Sequence, residues 1–204
     1  MPSRAELRGH AELPARADAS ASRREDLVQA AFNAIASRGF EGLRTRDVAA
    51  EAGVNVATLH YYFPTKESLI RGVLERSMNR FRATLAPHGS PSEQLRNHLR
   101  AVRRLMKEEP ELGIVMGELA LRSSRDAVIA GIYNEMRDSW QTIMRGLLRR
   151  GVRSGGLRAE LDSEGVATLV IAVLISLTIP PLRDSPRGDQ ALRQLERFLG
   201  LKAS

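Results

Sequence analysis

The chain has 204 residues, 43% of them hydrophobic, which is enough for one or two folded domains with a substantial core. Its 31 lysine and arginine residues against 24 acids give a formal charge of +7, which favours a polyanionic partner. It has no cysteine, which excludes disulfides, zinc–thiolate sites, iron–sulfur clusters and a cysteine nucleophile. The longest apolar segment, 166–179, is too short to span a bilayer, and the first residues lack the apolar run of a secretory signal, so we expect a cytoplasmic protein.

Proline positions and hydrophobic spacing predict an all-α fold. Long proline-free stretches carry apolar residues at spacings of three and four, and little of the chain alternates with a period of two. In the first predicted helix, Gly39 should take the left-handed position at the end, with Phe40 folding back on the last turn. We expect helices at about 22–38, 46–52, 56–62, 66–85, 92–107, 111–121, 125–154, 163–179 and 189–199.

Composition divides the chain into three parts. Residues 1–22 carry hardly any large apolar residue and their charges balance, so we expect a flexible arm. The loop at 86–91, with two prolines and a glycine, marks a second boundary. We therefore predict one domain over 23–85 and a second helical domain over 86–204.

The segment 45–64 has the spacing of a helix-turn-helix. We expect Val48 and Ala49 to face inward, Gly53 to supply the positive φ of the turn, and Val54 and Leu59 to close the helix crossing from the other side. The outer face of the second helix is then left with short polar or aromatic side chains and no acid. Such a face can enter the major groove of DNA, where an acid would repel phosphate.

Four motifs follow one another here: GFEGLRTRDVA at 39–49, AGV at 52–54, TLHYYF at 58–63 and KESL at 66–69. In order and spacing they resemble the DNA-binding domain of the TetR family of transcriptional regulators, over about 24–72. One departure is His60, which stands where tyrosine is usual, so its contact with DNA should be weaker and dependent on pH. Beyond residue 72 the chain resembles the family only in length and helical layout.

The resemblance implies a set of side chains that contact DNA. Arg46 should reach a phosphate or a base edge, and Lys66, at a helix N-terminus, should hold a phosphate together with backbone amides. Of Tyr61 and Tyr62, one should pack on a neighbouring helix and the other touch a phosphate, and the sequence leaves open which does which. Asn55 is more simply the N-cap of the third helix than a base reader, and Thr45 could likewise be a cap. The candidate set is Thr45, Arg46, Asn55, Val56, Ala57, Thr58, His60, Tyr61, Tyr62 and Lys66.

The second domain has a surplus of apolar residues between 95 and 179. They could be plain core, or they could line a cavity, since methionine and tryptophan fit irregular apolar ligands. Glu118 could receive a cationic ligand, or it could lie at the surface paired with Arg122. The resemblance favours a ligand cavity, with the candidates Met106, Met116, Leu119, Met136, Trp140, Ile143 and Met144.

The last two predicted helices indicate a homodimer. The helix at 163–179 is apolar around most of its circumference, and the helix at 189–199 has one apolar face. One chain of this size cannot easily cover both, so we expect a four-helix bundle across a twofold axis. The candidate interface residues are Val166, Leu169, Val170, Val173, Leu174, Leu177, Leu192, Leu195 and Phe198.

The sequence indicates no cofactor and no metal site, because the four histidines are scattered and no phosphate-binding loop or nucleophile motif appears. We therefore expect a dimeric transcriptional regulator, with the repressor role as the family's default. It should bind double-stranded DNA at a palindromic operator and be released by a largely apolar small-molecule effector. Two alternatives are a DNA-coating protein without sequence preference and a helical enzyme, although the enzyme lacks converging acid and base residues.

Overall fold

The computed structural model describes residues 12–85 and 87–201, and over these ranges the chain is helical with no strand. The all-α prediction is therefore confirmed. A single 3-10 turn, Phe40–Gly42, interrupts the α-helices. The helices are α1 (Glu12–Arg38), α2 (Thr45–Glu51), α3 (Val56–Tyr62), α4 (Lys66–Arg82), α5 (Pro91–Glu108), α6 (Pro110–Ser123), α7 (Ala127–Arg153), α8 (Ser163–Ser176), α9 (Pro180–Arg183) and α10 (Pro186–Leu199).

Four helix boundaries differ from the prediction by three residues or more: the start of α1, the end of α4 at Arg82, the end of α8, and the start of α10 at Pro186. Helix α1 begins at Glu12 instead of near Ser22, because the alanine, arginine and glutamate of this stretch are good helix formers even without apolar anchors. Residues 1–11 of the predicted arm lie outside the described residues, and its mobility stays a prediction. Helix α8 ends at Ser176, and the unpredicted α9 begins at Pro180, where a proline suits the first turn of a helix.

The chain divides into two compact units inside α4: an N-terminal unit, 1–73, and a C-terminal unit, 74–204. The predicted boundary at 85/86 lies later in the chain and stays a prediction of functional division. No helix of 12–85 or 87–201 is long and apolar enough to cross a membrane.

Helix α1 supplies the core of the N-terminal unit. Its predicted stripe is buried, and alanines within the stripe let the neighbouring helices approach closely. Gly39 ends the helix with φ 69° and ψ −178°, a positive-φ conformation that only glycine adopts readily, although it is not the left-handed helical one expected. Phe40 then folds back and is buried, as predicted. The stripe is Leu27, Ala30, Ala31, Ala34 and Ile35.

The C-terminal unit packs α5 to α8 and α10 around a core of leucine, valine and methionine. A buried arginine connects α5 to α9 and α10. Arg103 of α5 donates to Asp189 Oδ1 at 2.7 Å and to the carbonyl oxygens of Arg183 and Ser185 at 2.7 and 3.2 Å. The guanidinium is paired and hydrogen-bonded, which is the condition under which an arginine can be buried. The hydrogen bonds fix α9 and the start of α10 against α5.

Candidate functional site

Helices α2 and α3 form a helix-turn-helix with the predicted geometry. Val48, Ala49 and Leu59 are buried between the helices. Gly53 has φ 66°, which makes the sharp turn, and the Val54 amide donates to the Ala49 carbonyl at 2.9 Å to close it. The two helices are thereby held at a fixed angle, and one face of α3 stays outside the core.

The outer face of α3 is exposed and free of acid. Ala57, His60 and Tyr61 lie at positions i, i+3 and i+4, so they share one side of the helix, and each is exposed. Val56 and Thr58 are half-buried at the edge of this side. We call these five residues the recognition face. Its shape and lack of negative charge suit a DNA major groove.

Asn55 is the N-cap of α3. The Thr58 amide and the Thr58 hydroxyl both donate to its Oδ1, at 2.8 and 3.0 Å. Asn55 therefore acts as a helix cap, one of the two roles considered from sequence. The Thr58 hydroxyl donates its hydrogen in this bond. Toward a base edge, the Thr58 side chain can therefore offer only an acceptor oxygen and a methyl group.

The two tyrosines have different surroundings. Tyr62 is half-buried, and its hydroxyl accepts a hydrogen bond from Ser20 Oγ on α1 at 3.2 Å. Tyr61 is 80% exposed and packs only edge-on against Tyr62, with ring centroids 5.1 Å apart. Ser20 was not among the sequence candidates, since no local pattern links it to a tyrosine 42 positions away. Tyr61 is thus the tyrosine available to a partner.

Basic residues lie at the starts of α2 and α4, and one of them already has a partner. Arg46, in the first turn of α2, is exposed. Thr45 is the first residue of α2 and not its cap; the cap position belongs to Arg44, an exposed base that the candidate set omits. Lys66 opens α4 with its ammonium 4.7 Å from the centre of the Phe40 ring, so the lysine already has a cation–π partner.

The N-terminus of α4 is capped reciprocally. The Ser68 amide donates to Thr65 Oγ1 at 3.1 Å, and the Thr65 amide donates to Ser68 Oγ at 3.3 Å. These two amides are therefore already used. The helix end offers fewer free amides to a phosphate than the sequence interpretation assumed.

An apolar cavity of about 40 Å³ lies between α6, α7, α8 and the end of α4. Three of the seven predicted lining residues reach it: Met116, Met136 and Trp140. The other four do not: Met106, Leu119 and Met144 are buried in the core, and Ile143 is half-buried elsewhere on α7. Eight further lining residues were not among the cavity candidates: Gly117, Ala120, Tyr133 and Arg137 lie on the same helices α6 and α7 as the candidates, and Phe81, Leu174, Ile175 and Thr178 come from α4, α8 and the turn after α8.

Two buried polar groups lie at the aromatic end of this cavity. Trp140 stacks on Phe81 with ring centroids 5.3 Å apart, and its Nε1–H has no hydrogen-bond partner. His98 is fully buried edge-on to Trp140, and burial lowers the pKa of His98 to about 4. Thr84 Oγ1 donates to the Phe81 carbonyl at 2.6 Å, so it must accept from His98 Nδ1–H at 2.7 Å.

Charge is sparse around the cavity. Burial raises the pKa of the Tyr133 hydroxyl, so Tyr133 is neutral, and the exposed Arg137 is the one charged lining residue among those described. Glu118 does not line it, and Arg122 pairs with Asp126 at 3.5 Å. Within 12–85 and 87–201 no group of three or more histidine, aspartate or glutamate residues could hold a metal ion.

The predicted dimer surface divides into buried and exposed parts. Leu169 and Phe198 are 44% and 47% exposed, and Val173 is half-buried, so these can meet a partner. The other candidates face the chain's own core, which corrects their assignment as direct interface contacts. The reason is that α5, α7 and α10 already cover that side of α8. The buried candidates are Val166, Val170, Leu174, Leu177, Leu192 and Leu195.

Both units match models of known protein families. Residues 27–73 match the family described as bacterial regulatory proteins, tetR family, and residues 85–195 match the tetracyclin repressor-like C-terminal domain. The HTH-type transcriptional repressor KstR2 of Mycolicibacterium smegmatis is 28% identical over 149 residues, covering 70% of this chain and 71% of that protein.

Solved structures share the fold. A putative TetR-family transcriptional regulator from Rhodococcus sp. is 22% identical with a TM-score of 0.79, covering 88% of this chain and 99% of that one. A putative transcriptional regulator from Saccharomonospora viridis, solved in complex with choline, is 26% identical with a TM-score of 0.67, covering 88% and 96%.

Proposed function

The chain belongs to the TetR family of bacterial regulatory proteins, and we propose that it is a repressor that leaves a palindromic operator when a small molecule enters the cavity of its C-terminal unit. Members of this family are DNA-binding transcriptional regulators and not enzymes. They bind DNA and small-molecule effectors and act as dimers. What is specific to this chain is which residues carry each task.

The observation that carries the proposal is the exposed recognition face. Ala57, His60 and Tyr61 are exposed and Val56 and Thr58 only half-buried, whereas Leu59 on the opposite side of α3 packs in the core. We assign base-edge contacts to His60 and to the Thr58 methyl and oxygen, with Ala57 and Val56 allowing close approach. Tyr61, exposed and without a buried partner, is assigned to the DNA backbone.

Phosphate contacts are assigned to Arg46 and Lys66. Both lie at the start of a helix, where the helix dipole also favours an anion. Lys66 can keep its contact with Phe40 and still direct an N–H toward a phosphate, because an ammonium has three donors. Tyr62 is assigned a structural role, because it accepts a hydrogen bond from Ser20 of α1, and not a contact with DNA. The predicted role of Thr45 in DNA binding is kept only as a backbone contact at the N-terminus of α2.

Exposed apolar side chains on α8 and α10 support a dimer: Leu169 and Phe198, together with Ile175, which also lines the cavity. Leu169 and Phe198 lie with small neighbours such as Ala172 and Ala191, which are also exposed and permit close helix packing. A twofold axis here gives two recognition faces for two half-sites, about 34–36 Å or a multiple apart. The operator should therefore be palindromic, because the symmetry of the site mirrors that of the protein.

The effector would act through α4. Phe81 forms one wall of the cavity and belongs to the helix that begins at Lys66. A ligand that displaces Phe81 changes a helix shared by both units. By linkage, such a ligand weakens DNA binding by the factor by which DNA weakens ligand binding. Choline occupies the Saccharomonospora relative, but the cavity here has an arginine in its lining and no carboxylate among the described residues, which disfavours a cation.

A footprint of the full chain on genomic fragments that it enriches tests the proposal. We expect protection of one short symmetric segment, at protein concentrations where flanking DNA stays open. Uniform protection along the fragment would instead support the alternative of a DNA-coating protein. A footprint covering a single asymmetric half-site would contradict the dimeric arrangement.

A further inference from the structure

One lining residue of the cavity in the C-terminal unit, Trp140, carries a buried polar atom that has no hydrogen-bond partner. Trp140 is 6% exposed, and its Nε1–H makes no hydrogen bond. Buried donors in proteins are nearly always paired, because an unpaired one has lost its water without gaining an acceptor. Since Trp140 lines the cavity, an occupant that carries an acceptor can repair this loss.

The surroundings of that donor are uncharged. Phe81 stacks on the indole, and Met116 and Leu174 complete the buried wall. The His98 ring behind the indole is neutral at neutral pH, since burial lowers its pKa to about 4. A carboxylate placed beside Trp140 would lose its hydration, and Arg137, the one charged residue among the described lining residues, lies at the exposed outer end of the cavity.

The rim argues against a cation. Tyr133, Arg137 and Trp140 lie on one face of α7, at i, i+4 and i+7. Trp140 is buried and Arg137 exposed, so the positive charge marks the outer end of the cavity. A quaternary ammonium would pass this arginine and find no carboxylate among the described lining residues.

The cavity is also small. A volume of about 40 Å³ holds roughly three water molecules, far less than a bulky ring system needs. Met116 and Met136, which lie in its walls, have flexible side chains that can move aside for a thin occupant. A chain therefore enters with less rearrangement than a fused ring.

We propose that this cavity binds an uncharged, slender apolar molecule that carries one oxygen acceptor, such as a ketone, ester or alcohol, with that oxygen accepting from Trp140 Nε1–H. The inference rests on the proposed effector response of the C-terminal unit and specifies its ligand class. The hydrocarbon part of the ligand lies along Met116, Met136 and Leu174.

A matched pair of probes tests it: 2-octanone and 2-methyl-1-octene, which differ by replacing the carbonyl oxygen with a methylene group. Binding to the full chain and to Trp140→Phe is measured by calorimetry. The variant keeps an aromatic ring against Phe81 and loses only the donor among polar groups. We expect the ratio of ketone to alkene affinity to fall about three- to tenfold in Trp140→Phe, and to stay unchanged in the control Tyr133→Phe.

The wild-type protein gives a second readout that does not depend on the variant folding. Trp140 is the one tryptophan in the sequence, so a ¹⁵N-labelled sample has a single indole resonance. The ketone should move this resonance in the direction of hydrogen bonding, and the alkene should not. An unchanged affinity ratio, an indole resonance that ignores the ketone, or a loss on Tyr133→Phe alone would overturn the assignment.

Two charged probes of the same length complete the test. Octanoate and octyltrimethylammonium should each bind more weakly than 2-octanone, and tighter binding of either would overturn the uncharged class. Operator binding is measured on the same preparation. Selective DNA binding without a ketone preference overturns this inference alone, whereas loss of selective DNA binding overturns the proposed function.

Discussion

Replacing Lys66 by alanine should reveal whether this lysine contacts a phosphate or serves only the Phe40 ring. Each phosphate that a lysine neutralises contributes about 0.9 to the slope of log K against log salt. A dimer carries two copies of Lys66, so the slope should fall by about 1.8 in Lys66→Ala. Between 50 and 200 mM salt, the affinity gap between wild type and variant should therefore shrink about twelvefold.

Folding should change little in the same variant. The ammonium lies 4.7 Å from the centre of the Phe40 ring, and a contact of this kind is worth about 0.5–1 kcal/mol at an exposed site. Loss of a positive charge from a helix N-terminus offsets part of this. The melting temperature should fall by no more than about 2–4 °C.

Fluorescence anisotropy with labelled operator and random DNA, over a series of salt concentrations, measures the slope. The control is Lys107→Ala, which removes the same charge from an exposed position on α5 whose partner is Asp189 at 3.3 Å. The control should keep the wild-type slope. A Lys66→Ala slope equal to that of wild type would refute the phosphate contact and leave Lys66 as a structural residue.

Three further outcomes follow from other parts of the molecule. His60→Ala and Thr58→Ala should each cost about 1–3 kcal/mol of binding to the operator and little on random DNA, as measured by anisotropy. Leu169→Glu and Phe198→Glu should convert the dimer to folded monomers in sedimentation experiments, because both side chains are about half exposed within the chain. Stability should fall as pH drops from about 6.5 toward 4, because the pKa of His98 lies near 4 when folded and near its ordinary 6.5 when unfolded. The unfolded state takes up that proton first, so the free energy of unfolding measured in denaturant melts should fall by up to about 3 kcal/mol over this window. The pH dependence should be weaker in His98→Asn.

Each of these outcomes has a control or a contradicting result. Val128→Glu adds the same charge at another exposed apolar position and should leave the dimer intact. Because the Thr58 hydroxyl also holds the Asn55 cap, Thr58→Ala should lower the melting temperature slightly, whereas His60→Ala should not. Operator affinity unchanged in His60→Ala would mean that the recognition face is wrongly placed. A pH profile that is the same with and without His98 would contradict its assignment as a buried neutral group.

Local signals made the helix-turn-helix predictable. Gly53 and Asn55 decide where α2 stops and α3 starts, and Pro64 decides where α3 must stop, so the predicted bounds differ from the observed ones by a residue at most. Such residues act on their own backbone and on neighbouring amides, so their effect can be predicted from the residue type alone. The start of α1 lacks such a signal, and without an apolar stripe its residues resemble a flexible arm in sequence.

The cavity and the dimer surface depend on contacts that sequence spacing does not specify. Helical periodicity identified α7 as apolar, but it could not tell the side facing the cavity at Met136 from the side facing the core at Met144. Phe81 on α4 and Thr178 in the turn after α8 reach the cavity from positions far apart in the sequence, and nothing local marks them. Helix α8 is apolar around most of its circumference, so only its packing shows that Leu174 is covered and Leu169 is not.

Selection of bound sequences from a pool of random DNA by the full chain tests the central claim most directly. The recognition face and the twofold arrangement predict one enriched motif that is palindromic, with half-sites separated by about one helical turn or a multiple. The same selection with His60→Ala should weaken the preference at matching positions in both half-sites. An unenriched pool, or a motif without twofold symmetry, would contradict a dimeric sequence-specific regulator.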